Sequence, residues 1–183
     1  MGASANLLGM AFPWEAVTAV STAATTIILL LTVLMGKRQV DLLRRSTQLE
    51  GVFNVLRELD SEKYIESRRF VLHELEGRLK DPQFRKDIED GVADETVHKE
   101  IPTLRIFEEI GAYVKFGLVD ADTIYCQAGS RAVLCWQKLR PIVELARKRG
   151  GPGAWDSYEL LVAGSKRYYR QIHPDFAHPL MDD

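Results

Sequence analysis

Residues 16–36 read AVTAVSTAATTIILLLTVLMG, a run of 21 positions without one charged side chain. As a helix at 1.5 Å per residue it covers about 30 Å, the thickness of a bilayer's hydrocarbon core. Its second half, Ile27-Ile28-Leu29-Leu30-Leu31-Thr32-Val33-Leu34-Met35, is strongly apolar. The Ser and Thr hydroxyls of the first half can return to carbonyls one turn earlier, so helix formation satisfies the polar atoms within the segment. The stretch predicts a transmembrane helix over residues 14–36. A buried helix of a soluble protein would carry a polar face, which this run lacks. A cleaved secretory signal would need positive charge before the apolar stretch and a small-x-small site after it, and neither is present. Gly2 does not offer a lipid anchor, because Asn6 stands where the myristoylation pattern requires Ser or Thr.

The flanks set an orientation. Phe12-Pro13-Trp14 supplies a helix-starting proline and an interfacial aromatic on one side, while Lys37 and Arg38 close the other, with Arg44 and Arg45 soon after. Glu15 is the single side-chain charge before the run, so the positive-inside rule places residues 1–13 outside the cell and the rest in the cytoplasm, on the inner (plasma) membrane. Trp14, Lys37, Arg38, Arg44 and Arg45 are therefore the expected membrane-interface residues, each cation gaining about 1 kcal/mol from anionic lipid. Ala16, Ala19 and Ala23 form a small-residue face against which a second copy could pack, a homodimer that the sequence permits without requiring.

Beyond the run, charge returns at nearly every turn. The chain of 183 residues is 27% charged and 46% hydrophobic, which gives one domain enough apolar material for a core. A net charge of -2 excludes a chain built to coat polyanions, so nucleic acid is not an expected partner. Apolar positions Leu42, Leu49, Val52, Phe53, Leu56 and Leu59 recur at helical spacing over residues 39–59. Asp60-Ser61 can cap the next helix, over residues 62–79, with a stripe of Ile65, Leu72, Leu75 and Leu79. Asp81-Pro82 opens a short polar segment ending near Gly91. Asp94 can cap a helix through Val97, Ile101, Leu104, Phe107, Ile110 and Val114, closed by Gly117, which Pro102 should bend or delay. Asp120 caps another, through Ile124, Leu134, Leu139 and Ile142 to Arg147-Lys148-Arg149, with a kink expected at Pro141. Gly150-Gly151-Pro152-Gly153 breaks the chain before a last helix carrying Trp155, Tyr158, Leu161 and Tyr168. The expected fold is all-α: a membrane helix continuing into a cytoplasmic helical bundle of four to five helices over residues 37–171, then a flexible tail over residues 172–183.

Within that part, Phe107-Glu108-Glu109-Ile110-Gly111, then Val114, Gly117-Leu118-Val119-Asp120 and Trp136-Gln137-Lys138-Leu139-Arg140-Pro141-Ile142 resemble the bacterial domain of unknown function 4760 family. The similarity runs over residues 39–171. It implies a membrane helix ahead of a helical domain and brings no activity, cofactor or catalytic residue with it.

The residues that could carry chemistry each have a plainer role. Glu95-Thr96-Val97-His98 has the spacing of one half of a carboxylate-bridged di-metal site, but no second copy exists, so a solvated helix start is expected. Glu108 and Glu109 point about 100° apart on a helix and cannot work as an acid–base pair; polar surface or an ion pair with an Arg is expected. Cys126 and Cys135, nine residues apart on one helix, fall on opposite faces about 13 Å apart along the axis, beyond disulfide reach, and are expected to fill the core. Tyr158-Glu159-Leu160-Leu161-Val162, the basic Lys166-Arg167-Tyr168-Tyr169-Arg170 and His173-Pro174-Asp175 resemble fragments of a J domain, yet the spacing leaves no room for its helices. His173 and His178 lack further ligands for a metal. No nucleophile elbow or phosphate-cradling loop occurs. No cofactor is expected. The sequence thus points to a membrane-tethered module that meets a protein partner. Its rivals are an enzyme assembled from dispersed residues such as Arg68, Arg69, Glu108 and His98, and a structural component of an envelope complex.

Overall fold

A computed structural model of the chain describes residues 14–91 and 94–174, apart from the side chains of Glu15, Ala16, Asp41, Arg44 and Arg45. The described residues are all-α, without a strand. They divide into two compact units, Met1–Arg45 and Ser46–Asp183, with the boundary inside helix α1 (Trp14–Leu59). The expected N-terminal segment, residues 1–13, lies outside the described residues.

In the first unit, Val17–Val40 is a stretch of 24 residues with mean hydropathy 2.1 and none of its most apolar window buried, long and apolar enough to cross a membrane. Thr18, Thr22, Thr25, Thr26 and Thr32 each donate to the carbonyl four residues back at 2.8–2.9 Å. The hydroxyls thus find acceptors within the helix, as the sequence led one to expect, and the outer surface is left to carbon.

The second unit is built from the last turns of α1 with α2 (Glu62–His73), α3 (Leu75–Arg78), α4 (Pro82–Asp90), α5 (Ile101–Lys115), α6 (Ala121–Gly150) and α7 (Asp156–Ile172). Local capping sets three helix starts, since an Asp or Ser oxygen can take an amide proton that has no partner inside the helix. Tyr64 N donates to Ser61 Oγ at 3.2 Å, Gln83 N to Asp81 Oδ1 at 2.9 Å and Thr123 N to Asp120 Oδ2 at 2.8 Å. At the far end of α4, Gly91 adopts φ 71°, a left-handed turn that suits a residue without Cβ. The helix assignment of α6 continues through Pro141 to Gly150.

The structure differs from the sequence reading in the extent of two helices and in which apolar residues it buries. Residues 94–100 form turns, not the start of a helix, and α5 begins at Ile101 with Pro102 in its first turn, where the missing N–H costs nothing. The helix expected over residues 62–79 is interrupted at Glu74, giving α2 and the single turn α3. Leu42, Leu49, Phe53, Ile65 and Val97, read as core-facing, are exposed, whereas Val55, Tyr64, Phe70 and Val71 are buried.

The core centres on Phe107 of α5. Its ring stacks on Tyr158 at 4.9 Å and meets Tyr64 edge-on at 5.9 Å, and Trp136 closes on the other side of Tyr158 at 4.9 Å. The Tyr158 hydroxyl, fully buried, donates to Ala132 O at 2.8 Å, so the ring enters the core without an orphaned donor.

Two helices are capped from elsewhere in the chain. At α5 the preceding residue, Glu100, makes no side-chain cap; Ser67 of α2 instead accepts from Thr103 N at 3.1 Å. At α7 the preceding Trp155 has no side-chain oxygen to offer, and Glu108 of α5 accepts from Ser157 N at 3.4 Å and Tyr158 N at 2.9 Å. Glu108 is therefore a helix cap, not the surface carboxylate or Arg partner expected. Replacing it with Ala should lower stability by about 1–2 kcal/mol, as loss of a good cap does, while Glu108→Gln, which keeps the acceptor, should lose under half of that. Equal losses in denaturant titrations of the two variants would show that the cap is not the residue's contribution.

Candidate functional site

α6 and α7 run antiparallel, joined by the glycine-rich loop, with Arg147 beside Glu159 at one end and the Tyr169 hydroxyl donating to Cys126 O at 3.3 Å further along. Side chains three or four apart on each helix share a face. One such face on each lines a groove of about 920 Å³ between them. Its floor is apolar, with Val133, Val143 and Val162 buried and Trp136 half-buried.

The rim is cationic. Among the described lining residues, Arg140 and Arg147 of α6 and Lys166, Arg167 and Arg170 of α7 face two carboxylates, Glu144 and Glu159, a net charge of +3 in a chain whose total is -2. Arg140 holds Glu144 at 3.1 Å. Arg147 donates to Glu159 at 2.6 Å and to Ala154 O at 3.0 Å, tying the loop to the start of α7. A cationic rim over an apolar floor has the chemistry to take a segment carrying both carboxylates and hydrophobic side chains.

Other candidate residues are dispersed by the fold. Glu95 pairs with Lys63 at 2.8 Å and with Arg105, while His98 lies 1% exposed, stacked on Phe84 at 4.5 Å. The two do not share a helix face, and His98 is a core residue, not a solvated helix start. Its Nδ1 sits 2.9 Å from Glu100 Oε1, and Glu100 is equally buried. Burial pushes the Glu100 carboxyl above its ordinary range, against the lowering influence of His98 and Arg78. Sealed from solvent, this pair can hold the 94–100 turns against α4 but cannot meet a substrate. Among the described residues no group of three or more His, Cys, Asp or Glu is placed to hold a metal. Cys135 is a core residue as expected, its thiol pushed by burial up to about 11 and so unreactive. Cys126 is exposed and does not fill the core. Arg68, Glu108 and His98 serve separate neighbourhoods, and no shared site forms from them.

Because the Glu100 carboxyl titrates higher when folded, it keeps its proton while the unfolded chain releases one. Its contribution to stability is present below the ordinary 4.5 and is lost as pH rises through the folded value. Glu100→Gln should remove that slope. Its unfolding midpoint should gain on the parent's above pH 4.5 and the difference should level off below it; parallel profiles between pH 4 and 8 would contradict the assignment.

Of the expected interface residues, Trp14 is exposed at the start of α1, and Lys37 and Arg38 are exposed within the last four residues of the Val17–Val40 stretch; Arg44 and Arg45 lie in the helix with undescribed side chains. Asp175 of the His-Pro-Asp pattern and His178 of the two-histidine pattern lie outside the described residues. The basic groove was not read from the sequence. Its signal was the spacing of the cations, seven residues between Arg140 and Arg147 on α6 and three or four from Arg167 and Lys166 to Arg170 on α7, and the glycine-rich loop that folds one helix onto the other.

A family model described as Domain of unknown function (DUF4760) matches residues 19–165. The chain belongs to that family. The DUF4760 match begins inside the apolar stretch, some twenty residues before the similarity read over residues 39–171, and ends at Ser165, ahead of Lys166, Arg167 and Arg170. It takes in Phe107, Glu108 and Gly111, three of the α5 residues that receive α7. No curated protein and no solved structure matches the chain.

Proposed function

We propose that this DUF4760 protein is a single-pass membrane protein of the inner (plasma) membrane, with its N-terminus outside and the Ser46–Asp183 unit in the cytoplasm, where the α6–α7 groove receives an acidic, partly apolar segment of a protein partner. The observation that carries the reading is the Val17–Val40 stretch, which buries none of its most apolar window. Fully burying one Leu or Ile side chain is worth roughly 1.5–3 kcal/mol. For the run from Ile27 to Met35, left bare in water, the unrealised stabilisation is on the order of 10–20 kcal/mol, and hydrocarbon supplies it. Trp14 on one side and Lys37, Arg38, Arg44 and Arg45 on the other support the orientation. Small residues on the Ala16, Ala19 and Ala23 face leave room for a second copy to pair within the bilayer.

Proteolysis of inverted membrane vesicles tests the topology: the Ser46–Asp183 unit should be digested, and its protection would reverse the assignment. Affinity capture of the detergent-solubilised chain tests the groove. A stoichiometric partner should be lost on combining Arg140→Glu with Arg167→Glu; undiminished recovery by that variant would move the docking surface elsewhere.

A further inference from the structure

Residues 175–183, Asp-Phe-Ala-His-Pro-Leu-Met-Asp-Asp, combine three carboxylates with Phe176, Leu180 and Met181. That is the composition the α6–α7 groove is built to receive, a floor of valines and Trp136 under a rim of net charge +3. The segment also begins in the right place. α7 ends at Ile172, Pro174 cannot continue it, and Gln171 and Arg170 are the last groove-lining residues of that helix. From Glu159 to Gln171 the lining of α7 is about 18 Å long at 1.5 Å per residue. Nine extended residues span up to about 30 Å, enough to double back along the whole groove.

We propose that residues 175–183 fold back into the α6–α7 groove of their own chain, Asp182 and Asp183 meeting the cationic rim and the apolar side chains covering Trp136. This rests on the groove's being a docking surface, and it makes the tail a competitor of any partner segment. Tethering strengthens the competition, because a short connection holds the segment at a millimolar effective concentration.

Zero-length carbodiimide coupling of the full-length chain in detergent, mapped by mass spectrometry, tests it. Lys166 should couple to Asp182 or Asp183 within one chain, and the yield should fall at least tenfold with Arg167→Glu plus Arg170→Glu, and again in about 1 M salt, where screening shortens to about 3 Å. As both substituted residues are exposed, circular dichroism should confirm an intact fold. A second measurement uses the labelled peptide of residues 175–183. It should bind a full-length Asp182→Lys, Asp183→Lys chain at least tenfold more tightly than the parent, whose own tail competes. Absence of any coupling from Lys166 to the tail, coupling between two isotopically distinct copies only, or equal peptide affinity for both chains would overturn the proposal. Peptide that binds neither chain would remove the groove as well, whereas binding to both alike would reject the tail alone.

Discussion

Gly111→Ala should lower the stability of the Ser46–Asp183 unit by about 3 kcal/mol, roughly a 10 °C fall in melting temperature for a unit of this size. A Cβ at this position would stand 2.1 Å from Ser157 O and 2.4 Å from its carbonyl carbon. Both are backbone atoms of α7, anchored by Glu108, so relief requires moving α7 away from α5 and loosening the Phe107–Tyr158 stack. Overpacking against a rigid wall therefore reaches the top of the usual 1–3 kcal/mol range. Gly164→Ala is the natural control. Its Cβ would stand 2.3 Å from the Tyr125 hydroxyl, the far end of a half-buried side chain, and a swing of that side chain about its Cα–Cβ bond should hold the loss below about 1 kcal/mol. Thermal melts in which the two variants match would mean that the α5–α7 approach has slack.

The second large effect concerns the apolar helix. Combining Ile27→Arg with Leu30→Arg puts two guanidinium groups at the middle of the Val17–Val40 stretch, each costing about 2.5–3.5 kcal/mol in membrane insertion. If hydrocarbon is its solvent, about 6 kcal/mol should move the chain from the membrane pellet to the supernatant after ultracentrifugation without detergent. The parent chain should sediment with membranes and leave only in detergent. A parent that stays in the supernatant, uncleaved, would end the membrane reading outright, and the groove would then belong to a soluble protein.

The legible parts of this fold are those decided within a few residues. Ser61, Asp81 and Asp120 were identifiable as caps because the oxygen and the amide it accepts from lie two or three positions apart. The caps at α5 and α7 were not, because Ser67 and Glu108 are 36 and 50 positions from the amides they serve. The same distance effect misdirected the choice of buried face on α2. Its core-facing positions, Tyr64, Ser67, Phe70 and Val71, include a serine, which breaks the hydrophobic periodicity on which Ile65 and Leu72 were chosen. Ser67 is buried because it serves α5, a fact of another helix. The groove was hidden for a related reason. Arg147 read as a partner of its own helix's dipole, and Lys166 and Arg167 as part of a basic approach to a turn; only the antiparallel pairing of α6 and α7 makes them neighbours.

Capping across the chain also bears on synthesis. At roughly 5–20 residues per second, the 49 residues between Glu108 and Ser157 take about 2–10 s to emerge from the ribosome. During that interval α5 is complete, yet the face of Phe107 that stacks on Tyr158 and the bare backbone at Gly111 lack their cover, and the Glu108 carboxylate has only water to accept from. The nascent chain thus carries an adhesive strip that waits for α7 to seal it, and chaperone demand should peak just before Tyr158 is made.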